Sequence, residues 1–348
     1  MNKLDESNER YSRQMLFPPI GEQGQEKLMK SRVAIAGMGA LGCVLANHMV
    51  RAGIGYVRLI DRDYVELSNL QRQMLYDEDD ALNNLPKVIA AAQKLSKINS
   101  SIQIDPHVVD LNSTNAEDLL KGVDLILDGS DNFAVRFLIN DISIKFAIPW
   151  IYGGAVSSRG VCMTILPGQT PCLRCIFNQF PAAGTVETCD TSGVIGPIIH
   201  VVASSQAAEA LKILTGALDQ LNRQMIHFDL WFNQHIPIEM NKARKEDCPA
   251  CALKQFDYLF PEVGGDMMET LCGRDSVQFH PSHPSSLDLL ALAERLKPIG
   301  QVELNPFLLK FHIDEVRRLV IFPDGRVIIQ GCSDICVAKS LYSRYIGN

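Results

Sequence analysis

The sequence predicts an α/β protein: a Rossmann-like fold with a mostly parallel central sheet, plus a small C-terminal α+β module. Three observations predict it. Apolar runs at 33–36, 56–60 and 123–127 read as strands buried on both faces. Helical periodicity alternates with them, and the first run leads straight into Gly37-x-Gly39-x-x-Gly42. The length fits one large domain and a smaller one, divided as an arm over 1–30, a main domain over 31–255 and a C-terminal domain over 262–348.

The segment 32–63 anchors the reading. A glycine-rich turn lets backbone N–H groups approach a phosphate, and the N-terminus of the helix that follows, to about Ala52, favours the anion. The next strand ends on Asp61 and Asp63, roughly 20 positions past the turn, where an acidic residue can hold a ribose hydroxyl. This is a nucleotide-binding βαβ unit. The motif alone leaves the nucleotide open, since a dehydrogenase carries it as readily as an ATP enzyme.

Of 348 residues, 47% are hydrophobic and 21% charged, the balance of a soluble globular protein. A net charge of −7 with no basic block argues against nucleic acid as a partner. The polar start gives no secretory signal, and no apolar run is long enough to span a bilayer, so a cytoplasmic protein is expected. Four of the ten cysteines form two Cys-x-x-Cys pairs, which favours metal or thiol chemistry over disulfides.

The arm, read as a short amphipathic helix, contains Arg10 and Arg13 around Tyr11-Ser12; taken alone, two such arginines are a solvated face. Past Asp63 the segment 64–73 lacks periodicity and lies beyond the C-terminal end of a parallel strand, where α/β ligands bind. Asn69 and Arg72, with Ser68 beside them, can face a nucleotide there. Lys87 follows Pro86 at the start of a helix over 87–98, a good position for a phosphate-directed cation, although a single lysine is commonly a surface one. A strand at 103–108 and a helix at 115–121 continue the alternation.

The strand at 123–127 ends at Asp128-Gly-Ser-Asp131-Asn132. A carboxylate there is placed to hold Mg²⁺ against phosphates, because Mg²⁺ takes hard oxygen ligands and few protein contacts. The competing reading is that Asp131 or Ser130 caps the helix starting near Phe133. Strands at 149–153 and 161–166 extend a sheet of roughly seven or eight strands.

Cys172 and Cys175 then pair with Cys248 and Cys251, about 70 residues away, giving the four thiolates of a closed structural zinc site. Between them 177–188 reads as a mobile loop, Cys189 sits in the loop before a helix over 198–215, and strands at 224–231 and 234–240 close the main domain. A lone cysteine is more often inert than reactive. After a linker at 262–265 come a strand near 276–279, a capped helix over 286–296 and a strand near 307–313. A hairpin, 318–322 and 326–330 around Pro323-Asp324-Gly325, and a helix over 333–345 complete the chain. Cys272-Gly273-Arg274-Asp275 reads as structural.

As a set, Arg13, Asn69, Arg72 and Lys87 supply contacts for a triphosphate, Asp131 a metal ligand and Asp61 a ribose contact. Nucleotidyl transfer needs such an array, because catalysis there is charge stabilisation and in-line positioning; nicotinamide chemistry does not.

The stretches Arg10-Tyr-Ser-Arg-Gln14, the glycine turn, Asp61-x-Asp63, Ser68-Asn-Leu-Gln-Arg-Gln73, Pro86-Lys87-Val88, Asp128-x-x-Asp131-Asn132, both Cys-x-x-Cys pairs and Thr188-Cys189 resemble the ThiF/MoeB family of E1-like adenylyltransferases over about residues 8–253. The tail, with LCGRDSVQ and FPDGRVIIQG, resembles the extension of Bacillus-type ThiF proteins. The resemblance implies an E1 adenylation fold with a zinc knuckle. It also implies an activity, adenylation by MgATP of the C-terminal Gly-Gly carboxylate of a ubiquitin-fold sulfur carrier protein, with the thiamine-thiazole branch favoured.

It further implies that Gly37, Gly39, Ala40, Gly42, Asp61, Asp63, Ser68, Asn69, Arg72, Lys87, Asp131 and Asn132 line the ATP site, and that Arg13 acts across a homodimer. Cys189 matches a thiol that can link covalently to the carrier, with a cysteine desulfurase or another donor supplying sulfur. Two departures stand out: Ala40 replaces a second adjacent glycine, acceptable only at negative φ, and 83–85 lacks the usual Gly-Gln. The alternatives are the same chemistry on a molybdopterin-synthase small subunit, an E1-like peptide-modifying enzyme, a non-catalytic partner and a dinucleotide oxidoreductase.

Overall fold

The computed structural model describes residues 3–177, 189–261, 267–271, 275–280 and 287–347. The chain divides into two units, Met1–Ala182 with Gly193–Phe260, and Ala183–Ser192 with Pro261–Asn348. The arm is two helices rather than one, α1 (Lys3–Met15) and α2 (Gly21–Lys30), because Pro18 and Pro19 interrupt the helical run between them. Then come β1 (Arg32–Ala36), α3 (Ala40–Ala52), β2 (Tyr56–Asp61), α4 (Glu78–Leu82), α5 (Lys87–Ile98), β3 (Gln103–Val108), α6 (Ala116–Leu120), β4 (Leu125–Asp128) and α7 (Phe133–Phe146). The unit continues with β5 (Trp150–Val156), β6 (Arg159–Ile165) and α8 (Leu173–Ile176). Past α9 (Cys189–Ser192), which is grouped with the second unit, it closes with α10 (Gly196–Thr215), β7 (Met225–Asp229) and β8 (Gln234–Ile238).

The eight strands of the first unit run β3-β2-β1-β4-β5-β6-β7-β8. The first five are parallel, and β6, β7 and β8 return antiparallel. Because successive strand residues face opposite sides, Val33 and Ile35 enter one core with α3, α5 and α10, while Ala34 and Ala36 enter the other with α7 and the cysteine-bearing segments. The order 3-2-1-4 reverses direction between β1 and β4. In open α/β sheets a ligand crevice lies at such a switch point, outside the carboxyl ends of the strands. Among the described residues no helix is long and apolar enough to cross a membrane.

The second unit contains β9 (Met267–Leu271), β10 (Ser276–His280), α11 (Leu289–Leu296), β11 (Gln301–Leu304), β12 (Leu309–His312), β13 (Arg318–Ile321), β14 (Val327–Gln330) and α12 (Ile335–Tyr345). Its antiparallel sheet, β11-β12-β13-β14-β10-β9, has six strands. The sequence indicates only four, because Met-Met-Glu-Thr-Leu does not alternate and Gln-Val-Glu-Leu, which does, is only four residues long. The hairpin is in the expected register, Arg318 opposite Gln330 and Ile321 opposite Val327, with Gly325 at φ +87 in its turn. The side chains of Asp288 and Asp334 cap α11 and α12. Both helices pack Leu292, Leu296, Ala338 and Leu341 onto Val277, Phe311, Leu319 and Ile329. The expected linker at 262–265 and most of Cys272–Asp275 lie outside the described residues.

Candidate functional site

Gly37 follows β1 at φ +92 and donates its N–H to the Ile60 carbonyl (2.8 Å). A methyl group grown at Gly37 would meet the Gly129 backbone at 2.8 Å, and one at Gly42 would meet the Gly37 carbonyl oxygen at 2.0 Å. Those two glycines therefore exist for packing, of the turn against the β4 turn and of α3 against the turn. Gly39 differs: a methyl group there would have only the Gln73 amide nitrogen within reach, at 3.9 Å. Its face of the turn is the open one, suited to close backbone approach by a phosphate. Ala40 begins α3 and is absent from the residues of positive φ, so its methyl group is compatible with the turn.

Asp61 closes the turn from below. Its carboxylate accepts the Met38 N–H (2.6 Å) and the Asp63 N–H (2.7 Å), which ties the end of β2 to the glycine turn. Burial pushes this carboxyl up, and the Lys87 ammonium pulls it back. Asp61 thus shapes the phosphate turn in addition to its expected place near a ribose. Asp63 and Lys87 are brought together, with Nζ 3.1 Å from the carboxylate and the Lys87 N–H bonded to the Asp63 carbonyl (2.9 Å). Lys87 is 3% exposed, so the surface reading of this lysine is excluded.

The loop over 64–76 lies on this turn. Asn69 is buried and its Oδ1 accepts the Glu66 N–H (3.2 Å) in a reciprocal capping box, so this part of the side chain holds the loop. Ser68 is exposed, and Arg72, half-buried, donates to the Ser68 carbonyl (3.0 Å). The Tyr76 hydroxyl donates to the Met38 carbonyl (2.7 Å) and clamps the loop onto the glycine turn.

At the end of β4, Asp128 is fully buried and accepts from the Ser130 N–H (2.9 Å), the Ser130 hydroxyl (2.6 Å) and Arg136 Nε (3.0 Å). Burial pushes its carboxyl up, with Arg136 acting against that. Arg136 also donates to the carbonyls of Ser130 (2.7 Å) and Gly153 (3.1 Å), locking the 128–131 turn to β5. The helix cap is Asn132, whose Oδ1 accepts the Ala134 N–H (2.7 Å). Neither Asp131 nor Ser130 caps α7. Asp131 stays exposed at the rim, and Asn132 spends its Oδ1 on the helix.

Sequence reasoning missed three neighbours. Arg62 lies beside Asp131, Asp63 and Asp110 (2.8 Å); burial opposes its charge, but those carboxylates more than offset that. Arg136 was visible as the residue four past Asn132 on the same helix face. Gln73 stood inside the Ser68–Gln73 stretch without a role. Arg13 is exposed on α1.

Cys172, Cys175, Cys248 and Cys251 converge, with all four sulfurs within 4.8 Å of one another. The Sγ–Sγ separations of 3.9 Å (172–175), 3.6 Å (172–248) and 3.5 Å (175–251) bracket the roughly 3.8 Å expected of thiolates at a tetrahedral ion with Zn–S near 2.3 Å. The cluster fits zinc, with no position left open. Helix α7 braces it, since Asn140 Oδ1 accepts the Leu173 N–H (2.8 Å) and Asp141 accepts the Tyr258 N–H (3.0 Å). Cys189 begins the short helix α9 rather than a loop; its side chain lies outside the described residues, as does 178–188.

Comparison with known proteins agrees with this geometry. The ThiF family profile matches residues 11–250. The chain is 43% identical over 339 residues to the sulfur carrier protein ThiS adenylyltransferase of Bacillus subtilis (strain 168), an alignment covering 97% of this chain and 99% of that one. It is 36% identical over 256 residues to the sulfur carrier protein adenylyltransferase of Thermus thermophilus, covering 72% of this chain and 93% of that protein. Among solved structures, E. coli MccB with ATP superimposes with a TM-score of 0.61 at 25% identity, covering 70% of this chain and 74% of the other.

Proposed function

The chain belongs to the ThiF family, and from that premise we propose that it is an adenylyltransferase that activates the C-terminal Gly-Gly carboxylate of a ThiS-like, ubiquitin-fold sulfur carrier protein with ATP. One observation carries the reading: a relative of that printed activity aligns over 97% of the chain, whose glycine turn after β1 packs against the Asp128–Asp131 turn after β4 at the switch point. The carboxylate oxygen attacks the α-phosphorus, a P–O bond forms, and the bond to the β-phosphate oxygen breaks, releasing pyrophosphate and leaving an acyl adenylate. The later attack of a sulfur nucleophile on that mixed anhydride is downhill, which is the use of the ATP.

The backbone of Gly39, Ala40 and Gly42 holds the phosphates, favoured by the α3 N-terminus, while Gly37 sets the turn against β4. Arg72 and Lys87 neutralise phosphate charge, with Asp63 orienting the lysine, and Ser68, Asn69 and Asn132 complete the rim. Asp61 serves the ribose from the base of the turn. Asp131, an exposed hard-oxygen ligand, would hold Mg²⁺, which supplies charge neutralisation to the polyphosphate. Arg13 would act on the second copy of a homodimer. Zinc in the cysteine cluster would be structural. The free cysteines among the described residues fit a cytoplasmic protein, Cys189 is a candidate for a covalent link to the carrier, and a cysteine desulfurase or similar donor would supply the sulfur.

The test is ATP–pyrophosphate exchange by the purified protein with and without a Gly-Gly-ending sulfur carrier. Carrier-dependent exchange that disappears in Asp131→Ala and Arg72→Ala is the expected result. The other reading is an E1-like enzyme that modifies a peptide, and exchange driven by a peptide but by no carrier would establish it instead.

A further inference from the structure

We propose that Gln73 is a nucleotide-contact residue, its carboxamide donating to a phosphate on the Gly39 turn and accepting from an O–H of the same bound ligand; this rests on the ATP reading above. Gln73 is 3% exposed, and its Oε1 has no hydrogen-bond partner. Its Nε2 is the single atom bordering the open face of Gly39. Three other polar side chains of the loop bond protein groups: Asn69 caps, Gln71 donates to the Val194 carbonyl (3.3 Å) and Arg72 donates to the Ser68 carbonyl.

The Gln73 backbone is held where it is. Its N–H bonds the Asn69 carbonyl (2.9 Å), the Tyr76 N–H bonds the Gln73 carbonyl (3.2 Å), and the Tyr76 hydroxyl pins the loop to Met38. A buried amide oxygen without a partner destabilises the unliganded protein, and a ligand-borne donor removes that penalty on binding. Phosphate offers only acceptors, which suits Nε2. The donor for Oε1 is then a ribose hydroxyl or a water of the phosphate-bound metal ion. Both are O–H groups, and the position of Gln73 beside the phosphate turn serves either.

The experiment measures equilibrium binding of MgATP, its 2′-deoxy and 3′-deoxy analogues, and pyrophosphate-exchange KM values, in wild type, Gln73→Met and Gln73→Glu. Methionine keeps the volume and loses both polar functions. The expected result is about tenfold weaker MgATP binding in Gln73→Met, with the carrier KM within about twofold and the melting temperature of the unliganded protein unchanged or raised. Gln73→Glu is weaker again, because a carboxylate faces the phosphate. If the donor is a hydroxyl, one deoxy analogue binds wild type about tenfold more weakly than ATP but binds Gln73→Met as ATP does. If it is metal-bound water, neither analogue discriminates and Gln73→Met needs more Mg²⁺ for half-saturation.

Gln73→Met binding MgATP within about twofold of wild type overturns the proposal and leaves the function intact. Should that variant melt early, Gln73→Glu decides, and wild-type affinity there overturns it equally. A wild-type protein that binds no ATP at all overturns the adenylyltransferase reading, and this inference with it.

Discussion

Replacing Arg136 by methionine tests the architecture of the β4 turn. The guanidinium pairs with the fully buried Asp128 at 3.0 Å and also satisfies the carbonyls of Ser130 and Gly153. Methionine fills much of the same space against Phe133 and Tyr152 and supplies no donor. Removing one partner of a buried pair costs about 3–5 kcal/mol, because the remaining charge is left uncompensated. The sign with pH follows from Asp128. Burial already places its folded-state pKa above the unfolded value, and losing Arg136 raises it further. Its ionisation therefore costs nothing below the unfolded pKa, and the cost grows as pH rises towards the folded pKa.

Urea titration of wild type, Arg136→Met and the double variant Asp128→Asn/Arg136→Met at pH 5 and pH 8 reads this out. The single variant should lose about 3–5 kcal/mol at pH 8, recover part of it at pH 5, and gain from the added Asp128→Asn. A loss under about 1 kcal/mol, independent of pH, would refute the reasoning.

Three further outcomes are expected. Gly39→Ala folds with wild-type stability, since nothing crowds that position, yet loses ATP affinity; Gly42→Ala, whose methyl group would sit 2.0 Å from the Gly37 carbonyl oxygen, is destabilised as well, and paired calorimetry and melting curves separate the two. Elemental analysis should find one zinc ion per chain, and Cys248→Ser should lose both the metal and thermal stability, whereas a metal-free wild type that melts normally would exclude a structural role. Burial pushes the Asp141 carboxyl up to about 7, so its ionisation weakens the fold increasingly between about pH 4 and 7. Asp141→Asn should then raise the melting temperature at pH 8 and leave it unchanged near pH 4; equal effects at both values would show that charge is not the cause.

Much of the first unit is written in local patterns. Alternation of apolar runs with helical periodicity defines β1, α3, β2 and α5 nearly to the residue, because each element is set by neighbours within a few positions. Cysteine spacing likewise announces a four-thiolate cluster, and the glycines of the first turn announce a phosphate. The tertiary structure decided what those residues do to one another. Lys87 meets Asp63 from 24 residues away, Arg136 leaves the helix surface to hold Asp128, and Cys172 comes within 3.6 Å of Cys248 across 76 residues. It also chose Asn132 over Asp131 as the cap, which leaves Asp131 at the rim, and turned Gln73 inward against Gly39. Sequence periodicity records which face of an element is apolar. It does not record which side chain wins a hydrogen-bond partner supplied by another strand, and that choice is made only when β1 and β4 lie side by side.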